Sequence, residues 1–358
     1  MNVSLCIIAY NEEKALPALL EDVKRQDHPH EKMEIVLVNS MSRDGTEACM
    51  EAFKEQARDF ARVQVLLNRG RSQASGWNTA IKAASGDVII RVDAHASIPA
   101  DFVRQNVAVL ESGEMVCGGP RPAITPDDEP WKKTLLLAEN SMFGSSIAPY
   151  RNEGNGGKKY VRSLFHGAYR REVFEDVGGF NEYLGRTEDN ELHYRIRKAG
   201  YKICYSPDIH SCQHSRSSLR RMVRQKYGNG YWIGLTAGVC PECLSLYHFV
   251  PFGFVCGILA TTALARKKHT GLAKLMWGAY GALCGVMSLF AVKHEKKHIS
   301  QLLLPVLFPI LHISYGVGTL AGLIRMPAWR KTHQTCPSVL EVKRVLLKKK
   351  AGKPETEA

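Results

Sequence analysis

Residues 88–95 read VIIRVDAH, an apolar run that only Arg91 interrupts and that ends in an acid and a histidine. A short apolar run of this kind is typical of a strand buried on both faces of a parallel sheet. The pattern predicts a strand over residues 88–92 that carries Asp93 at its carboxyl end. Ligands of open α/β sheets bind outside the carboxyl ends of the strands, so Asp93 and His95 are candidate site residues.

Three earlier segments repeat this pattern, and helical segments separate them. The predicted strands are residues 3–9, 35–38 and 63–67. The predicted helices run to Val23 with Asn11 as N-cap, from a turn at residues 42–46 to about Phe60, and over residues 75–84. Strands that alternate with helices indicate an α/β fold with a doubly wound, mainly parallel sheet. Such a sheet would bring Tyr10, Asn39 and Ser40 to the crevice that holds Asp93.

The middle of the chain is less regular. Residues 111–160 are rich in proline and glycine, which indicates substrate-facing loops around one helix at residues 131–143. A short helix is predicted at residues 171–177, and a firmer one at residues 188–199 with Thr187 as its candidate N-cap. A strand over residues 202–205 follows.

The composition changes after Cys243, which the mean hydropathy of −0.20 conceals. Residues 244–265, 275–292 and 299–324 contain no Asp, Glu, Lys or Arg. Each stretch is about long enough to cross a bilayer, which takes roughly 17 to 25 residues. Two prolines leave open whether the third is kinked, re-entrant or a hairpin. The predicted organisation is a catalytic domain at residues 1–235, a membrane region with two to four transmembrane or re-entrant segments at residues 243–325, and a basic tail at residues 326–358.

The charge distribution favours a membrane protein over a nucleic-acid binder. The net charge is +13 with a pI near 9.2, but no nucleic-acid module or aromatic-basic repeat accompanies it. A basic tail favours the cytoplasm and requires an even number of crossings, whereas three simple spans would place it outside. The ten cysteines are scattered along the chain, which favours a reduced compartment. The CxxC at residues 240–243 has no second pair, so a zinc ribbon is not expected. No cleavable signal precedes the first strand.

Asp93 and His95 combine a hard oxygen with an imidazole nitrogen. That donor set suits Mn²⁺ at least as well as Mg²⁺. A divalent cation neutralises the charge that grows on a departing diphosphate, so the pair predicts a metal and nucleotide-sugar site. His214, after the predicted strand at residues 202–205, is a further candidate ligand. The alternative for Asp93 and His95 is a solvated turn with an incidental histidine.

Glu188 and Asp189 open a predicted helix. One of these acids could remove a proton from an acceptor hydroxyl, and single displacement at the sugar carbon would then invert its configuration. Alternatively, both acids only complement the helix dipole.

Two basic segments are candidate anion sites. Arg69 or Arg71, in the loop before the predicted helix at residues 75–84, could hold a phosphate. That loop lacks the Walker pattern, and no GxGxxG follows the first strand, which counts against a dinucleotide-binding dehydrogenase. A basic amphipathic segment (Arg216, Arg220, Arg221, Arg224 and Lys226) could lie on anionic lipid or face a lipid diphosphate.

Several motifs together resemble those of family 2 glycosyltransferases with the GT-A fold, and most of all the succinoglycan-biosynthesis type of bacterial glucosyltransferase. The resemblance covers about residues 3–232 and, more loosely, the apolar C-terminus. It is carried by residues 9–13 (AYNEE), 41–46 (MSRDGT), 93–96 (DAHA), 118–121 (GGPR), 166–172 (HGAYRRE) and 187–189 (TED).

The resemblance implies a role for each matching residue. The implied nucleotide-sugar residues are Ala9, Tyr10, Glu12 and Asp93, with Ser40 and Arg71 as further candidates. Asp93 and His95 stand in place of the family's DxD motif, and His214 matches a histidine near the metal of some members. Asp189 matches the catalytic base. The acceptor side would hold Glu188, His166 and Gln225.

Two departures shape the expected function. Many members have two Asp where this chain has Asn39 and Ser40, which weakens the prediction of a uridine base. The segment that begins at Gln225 lacks the Arg-Trp of the processive QxxRW motif, so addition of a single sugar is expected. The expected enzyme inverts, uses Mn²⁺ or Mg²⁺, and moves glucose from UDP-glucose to a lipid-linked saccharide for exopolysaccharide.

The expected location is the cell inner membrane, as a multi-pass protein with a cytoplasmic catalytic domain. Two alternatives remain open at the level of sequence. One is a polyprenyl-phosphate glycosyltransferase, and the other is a non-catalytic membrane scaffold with a degenerate transferase domain.

Overall fold

The computed structural model describes residues 1–125, 129–144, 157–215 and 218–351. The strands are β1 (Val3–Ala9), β2 (Met33–Asn39), β3 (Arg62–Leu67), β4 (Val88–Asp93), β5 (Ala96–Ser97), β6 (Val116–Gly118), β7 (Ala123–Ile124), β8 (Lys159–Tyr160), β9 (Gly167–Arg170), β10 (Cys204–Tyr205) and β11 (Cys212–His214). The helices are α1 (Leu16–Lys24), α2 (Thr46–Gln56), α3 (Gln73–Ala83), α4 (Phe102–Glu111), α5 (Pro130–Asn140), α6 (Arg171–Val177), α7 (Glu188–Lys198), α8 (Leu219–Thr236), α9 (Val250–Arg266), α10 (Gly271–Ala291), α11 (Leu304–Arg330) and α12 (Pro337–Lys350).

The described residues form two compact units. The first comprises residues 1–122, 157–214 and 335–351, and the second comprises residues 123–125, 129–144, 215 and 218–334. The predicted boundary at residue 235 coincides with neither limit. The C-terminal helix α12, which the sequence placed in a separate tail, belongs to the first unit.

The first unit is built on an eight-stranded sheet in the order β3-β2-β1-β4-β9-β6-β10-β8. The strands β3, β2, β1 and β4 are parallel, and β9 runs antiparallel to both β4 and β6. The register pairs Ala9 with Asn39 and Ile8 with Asp93, so the carboxyl ends of β1, β2 and β4 lie side by side. This confirms the predicted α/β fold with a mainly parallel sheet.

Helices cover both faces of this sheet. One buried cluster joins the sheet to α1, α2 and α4 through side chains such as Leu19, Phe53 and Val103. The other joins it to α3, α6, α7 and α12, and there Val342 and Leu346 of α12 pack in one cluster with Trp77. The second face of the sheet is therefore completed by a helix that follows the apolar segments in the chain.

One of the predicted helix boundaries is wrong. Asn11 is not an N-cap, because it has a φ of 55° and α1 begins only at Leu16. The helix α7 begins at Glu188 as predicted, with Thr187 at the N-cap position, but the Thr187 side chain makes no capping hydrogen bond.

The second unit contains three helices that are long and apolar enough to cross a membrane. These are residues 246–266, 271–291 and 299–330, close to the three predicted stretches. The helix α8 runs parallel to α11 at very short range, because glycines face each other along the contact. A Cβ added at Gly230 would lie 2.0 Å from the Tyr315 carbonyl oxygen, and one at Gly318 would lie 2.1 Å from that of Tyr227.

Candidate functional site

The crevice at the carboxyl ends of β1, β2 and β4 is framed by two loops that hold each other. The Asn11 N–H donates to Ser42 Oγ at 3.0 Å, and the Glu12 N–H donates to Thr46 Oγ1 at 2.8 Å. Tyr10 stands at the mouth of this frame with 54% of its surface exposed. The structure thus leaves this predicted nucleotide residue accessible to a ligand.

Asn39 and Ser40, where many family members carry two acids, are buried. The Asn39 Nδ2 donates to Glu47 Oε2 at 3.0 Å, and its Oδ1 accepts from the Ser42 N–H at 2.9 Å. The Ser40 hydroxyl accepts from Asn68 Nδ2 at 3.0 Å. Both side chains therefore brace the neighbouring loops.

Arg71 lies in the loop between β3 and α3, with its side chain exposed and a φ of 56°. Ser72 caps α3 by accepting from the Ser75 N–H at 3.1 Å, and the Ser75 hydroxyl accepts from the Ser72 N–H in return. This capping box fixes the loop. The exposed guanidinium fits the predicted contact with a phosphate.

Asp93 ends β4 with only 6% of its surface exposed. Burial raises the pKa of its carboxyl above the usual range, although His95, Arg121 and Arg91 act in the opposite direction. His166 lies behind it, where Nε2 accepts from the Asp93 N–H at 3.4 Å. Burial lowers the pKa of His166 well below its usual value, so the neutral imidazole supports the end of β4.

His95 follows two residues later and is partly exposed. Its Nδ1 lies 3.4 Å from Glu12 Oε1, and its Nε2 lies 2.8 Å from the side-chain nitrogen of Gln213. The structure therefore brings together a residue predicted for the metal and one predicted for the nucleotide.

His214 reaches the same region through the antiparallel pairing of β5 and β11. Its N–H donates to the His95 carbonyl at 2.9 Å, while its ring Nε2 lies 2.7 Å from Ser97 Oγ. Within the described residues, no three His, Cys, Asp or Glu side chains form a cluster that could hold a metal. Asp93 and His95 still offer an oxygen and a nitrogen that fit Mn²⁺, with further ligands to come from diphosphate or water.

The two predicted acids at the start of α7 lie in different surroundings. Asp189 is partly exposed, and its Oδ1 accepts from a terminal nitrogen of Arg91 at 2.8 Å. Glu188 is 3% exposed, and within the described part of the chain its Oε2 has no hydrogen-bond partner. Burial, together with the neighbouring Asp189 charge, raises the pKa of Glu188 to about 8. This rise in pKa favours the protonated form of Glu188.

Arg91 is a candidate site residue that the sequence analysis did not select. It lies within β4 with 1% of its surface exposed, and its guanidinium carbon is 4.5 Å and 4.6 Å from the ring centroids of Trp77 and Phe180. Charged side chains are almost never fully buried unless paired, so an arginine in an apolar strand was a usable signal. Its partner Asp189 is 98 positions away, which no local pattern reveals.

The remaining predicted residues lie elsewhere. Ala9 is buried at the end of β1. Gln225 is exposed on α8 in the second unit. Arg216 and parts of the proline- and glycine-rich segment at residues 111–160 lie outside the described residues.

Comparison with known sequences finds a family profile and several relatives. Residues 4–178 match the sequence profile described as Glycosyl transferase family 2. One relative is the dolichyl N-acetyl-alpha-D-glucosaminyl phosphate 3-beta-D-2,3-diacetamido-2,3-dideoxy-beta-D-glucuronosyltransferase of Methanococcus voltae, which is 25% identical over 335 residues. That alignment covers 90% of this chain and 97% of the relative. Another relative is the succinoglycan biosynthesis protein ExoA of Rhizobium meliloti, which is 29% identical over 233 residues. That alignment covers 63% of this chain and 68% of the relative.

A third relative is the undecaprenyl-phosphate 4-deoxy-4-formamido-L-arabinose transferase of Proteus mirabilis, 25% identical over 81% of this chain and 82% of the relative. Among solved structures, the mannosyltransferase PcManGT of Pyrobaculum calidifontis, in complex with GDP-Man and Mn²⁺, superposes with a TM-score of 0.56. It is 20% identical, and the match covers 89% of this chain and 87% of that chain. This likeness supports the fold.

Proposed function

We propose that this chain, whose residues 4–178 match glycosyl transferase family 2, is an inverting glycosyltransferase that adds one sugar to a lipid-linked acceptor. One observation carries this proposal. The strand β4 ends in Asp93, and Arg91, two residues earlier, holds the carboxylate of Asp189 at 2.8 Å. The candidate diphosphate site and the candidate base are thus tied to the end of the same strand.

Asp189 is the proposed base. It accepts the proton of the acceptor hydroxyl, whose oxygen attacks the anomeric carbon from the side opposite the diphosphate and inverts it. Glu188, whose raised pKa favours the protonated form, is suited to donate a hydrogen bond on the acceptor side. Asp93 and His95 would hold a divalent cation, which would supply Lewis-acid stabilisation to the departing diphosphate.

Replacing Asp189 by Asn tests this base. The amide keeps the size of the side chain but cannot accept the proton, so turnover should fall by at least about 100-fold. Binding of the nucleotide sugar, measured by calorimetry, should stay nearly unchanged. Wild-type turnover in Asp189→Asn would refute the assignment.

The proposed donor is a UDP-sugar, with UDP-glucose first, and the proposed acceptor is a lipid-diphosphate-linked saccharide of an exopolysaccharide. The likeness to a succinoglycan biosynthesis protein supports this choice. A second candidate acceptor is polyprenyl phosphate, since the Proteus mirabilis relative is named as an undecaprenyl-phosphate transferase.

A panel of nucleotide sugars with Mn²⁺, each offered with both acceptors, separates these candidates by the mass of the lipid product. Transfer to undecaprenyl phosphate alone would replace the first acceptor by the second. Failure to bind or hydrolyse any nucleotide sugar would overturn both.

We place the catalytic unit on the cytoplasmic face of a bacterial inner membrane, anchored by an even number of crossings. Residues 1–122 and 335–351 belong to one compact unit, and a compact unit that stays outside the bilayer has all its segments on one side. The chain between residues 214 and 335 therefore leaves and returns to that side. Three apolar helices and an even number of crossings mean that one of the three does not cross.

The helix α11 is the best candidate for the one that stays on the catalytic side. Of its apolar window, 39% is buried within the protein, compared with 6% for the α9 segment and 11% for α10. Its first half packs on Met222 of α8 and Leu135 of α5. The parallel packing also carries Arg220 and Arg224 of α8 beside that half, and an arginine at a helix centre in hydrocarbon costs at least about 2.5 kcal/mol. The proposed crossings are therefore α9 and α10.

A further inference from the structure

The guanidinium of Arg91 packs against two aromatic rings, the Arg91 sandwich. Its carbon is 4.5 Å from the ring centroid of Trp77 in α3 and 4.6 Å from that of Phe180, in the segment between α6 and α7. Contact with two aromatic rings restricts the rotation of a guanidinium. The direction of its N–H groups is therefore restrained before any substrate arrives.

The restrained guanidinium points at one carboxylate. A terminal nitrogen of Arg91 donates to Asp189 Oδ1 at 2.8 Å, and the side chains of the two residues are 1% and 17% exposed. A buried charge is costly unless it is paired. Asp189 provides this pairing for Arg91, and the buried guanidinium in turn restrains the partly exposed carboxylate.

The backbone at Phe180 and its neighbour Gly179 is held by hydrogen bonds from two helices. Asn78 of α3 donates to the Phe180 carbonyl at 2.9 Å and accepts from the Phe180 N–H at 2.7 Å. On the other side, the Gly179 N–H donates to the Val339 carbonyl of α12 at 3.1 Å. A Cβ at Gly179 would lie 2.5 Å from Val342, so the close approach of α12 requires glycine there.

We propose that Arg91 is a positioning residue that orients Asp189 for proton transfer, and that α12 supports the sandwich that holds it. The inference rests on the proposed role of Asp189 as the base. It gives the helix beyond the membrane region a part in catalysis, through Phe180 and Arg91.

Two variants of Arg91 test the positioning. Arg91→Met removes the charge and the N–H donors but keeps an apolar stem in the sandwich, while Arg91→Lys keeps the charge without the planar fork. A misplaced catalytic group can cost on the order of 100-fold in rate, so kcat should fall about 100-fold in Arg91→Met. Arg91→Lys should recover part of that loss, and KM for the donor should stay within about threefold in both.

A double-mutant cycle decides between positioning and a general structural effect. If Arg91 acts through Asp189, adding Arg91→Met to Asp189→Asn should change the residual turnover by less than about twofold. An equal fall in both backgrounds, or wild-type kcat in Arg91→Met, would overturn the inference. If Asp189→Asn keeps full turnover while Arg91→Met loses it, the proposed base fails instead.

Substitutions in α12 test whether this helix supports the position of Arg91. Replacing the buried Val342 and Leu346 by alanine should lower kcat several-fold in the wild-type background and add little to Arg91→Met. The matched control replaces Leu340 and Leu347, which are 57% and 44% exposed on the same helix, and should leave kcat unchanged. Should Arg91→Met not fold, Arg91→Lys and Phe180→Leu take its place in the cycle. Unchanged kcat in both would overturn the inference.

Discussion

Burial disfavours the charged form of Glu188, so its carboxyl keeps the proton to a higher pH in the folded protein. The free energy of unfolding therefore depends on pH. Its folded pKa of about 8 lies above the ordinary value of 4.5. The stability gained from the bound proton is complete below pH 4.5 and is lost as the pH rises toward 8. Glu188→Gln mimics the protonated form at every pH.

The wild-type melting temperature should therefore fall relative to that of Glu188→Gln between about pH 5 and pH 8, by a few degrees. Melting curves of both proteins in the same detergent measure the difference. Burial lowers the pKa of His28 and of His193, so both contribute in the opposite sense, but they titrate equally in the two proteins and cancel. A difference that does not vary with pH would contradict the buried state of Glu188.

His95 joins the candidate metal position to the nucleotide side, because its ring lies beside both Glu12 and Gln213. His95→Ala should weaken nucleotide-sugar binding in the presence of Mn²⁺ by roughly 10-fold or more, and should leave binding without metal nearly unchanged. Calorimetric titration with and without Mn²⁺ measures both. His214→Ala tests the other candidate ligand in the same way, and its ring Nε2 is hydrogen-bonded to Ser97 Oγ. An unchanged Mn²⁺ dependence in His95→Ala would remove it from the site.

At the scale of residues, sequence reasoning selected groups that stand at strand ends and missed one that stands inside a strand. Asp93 could be placed because an apolar run fixes where a strand stops. Arg91 could not be assigned, because its sandwich draws on α3 and on the segment before α7, which only tertiary folding brings together. Asn11 failed as a cap because its amide oxygen accepts from the Arg43 N–H of the neighbouring loop.

At the scale of elements, the packing of α8 on α11 depends on glycines that admit no side chain. A Cβ at Gly318 would lie 2.1 Å from the Tyr227 carbonyl oxygen, which belongs to helix backbone and cannot move aside. Gly318→Ala should therefore lower the melting temperature by several degrees, although alanine favours a helix by about 1 kcal/mol over glycine.

The matched control for this change is Gly281→Ala in α10, where a Cβ would have nothing within 4 Å. That variant should keep or slightly raise the melting temperature in detergent, because only the helix preference acts. Equal melting temperatures for the two variants would show that α8 and α11 do not pack this closely.

The elements themselves were largely predictable, whereas their partners were not. The four parallel strands and the three apolar helices follow from long uniform runs. The helix α12 has apolar residues on more than one side, so the sequence does not indicate that Val342 and Leu346 form its buried face while Leu340 and Leu347 stay exposed. That choice is made by the complementary surface of α3 and α6.

At the scale of the whole molecule, α12 packs in the same compact unit as the sheet, and the proposed topology therefore returns the chain to the side of the catalytic unit by an even number of crossings. The loop charges do not decide which helix stays behind. The residues that follow α9 (Arg266, Lys267 and Lys268) and those that follow α10 (Lys293, Lys296 and Lys297) are both basic. The difference in burial favours α11.

Reporter fusions test this topology. With α9 and α10 as the crossings, alkaline phosphatase inserted after Lys268 should be active because that loop is outside. Insertions after Lys297 or after the last residue should be inactive, and green fluorescent protein at those two positions should fluoresce. Phosphatase activity at the C-terminus would mean an odd number of crossings, which would separate α12 from the catalytic unit and remove it from the support of Asp189. Activity after Lys297 with a cytoplasmic C-terminus would instead make α11 a crossing, and Arg220 and Arg224 beside it would then need partners within the bilayer.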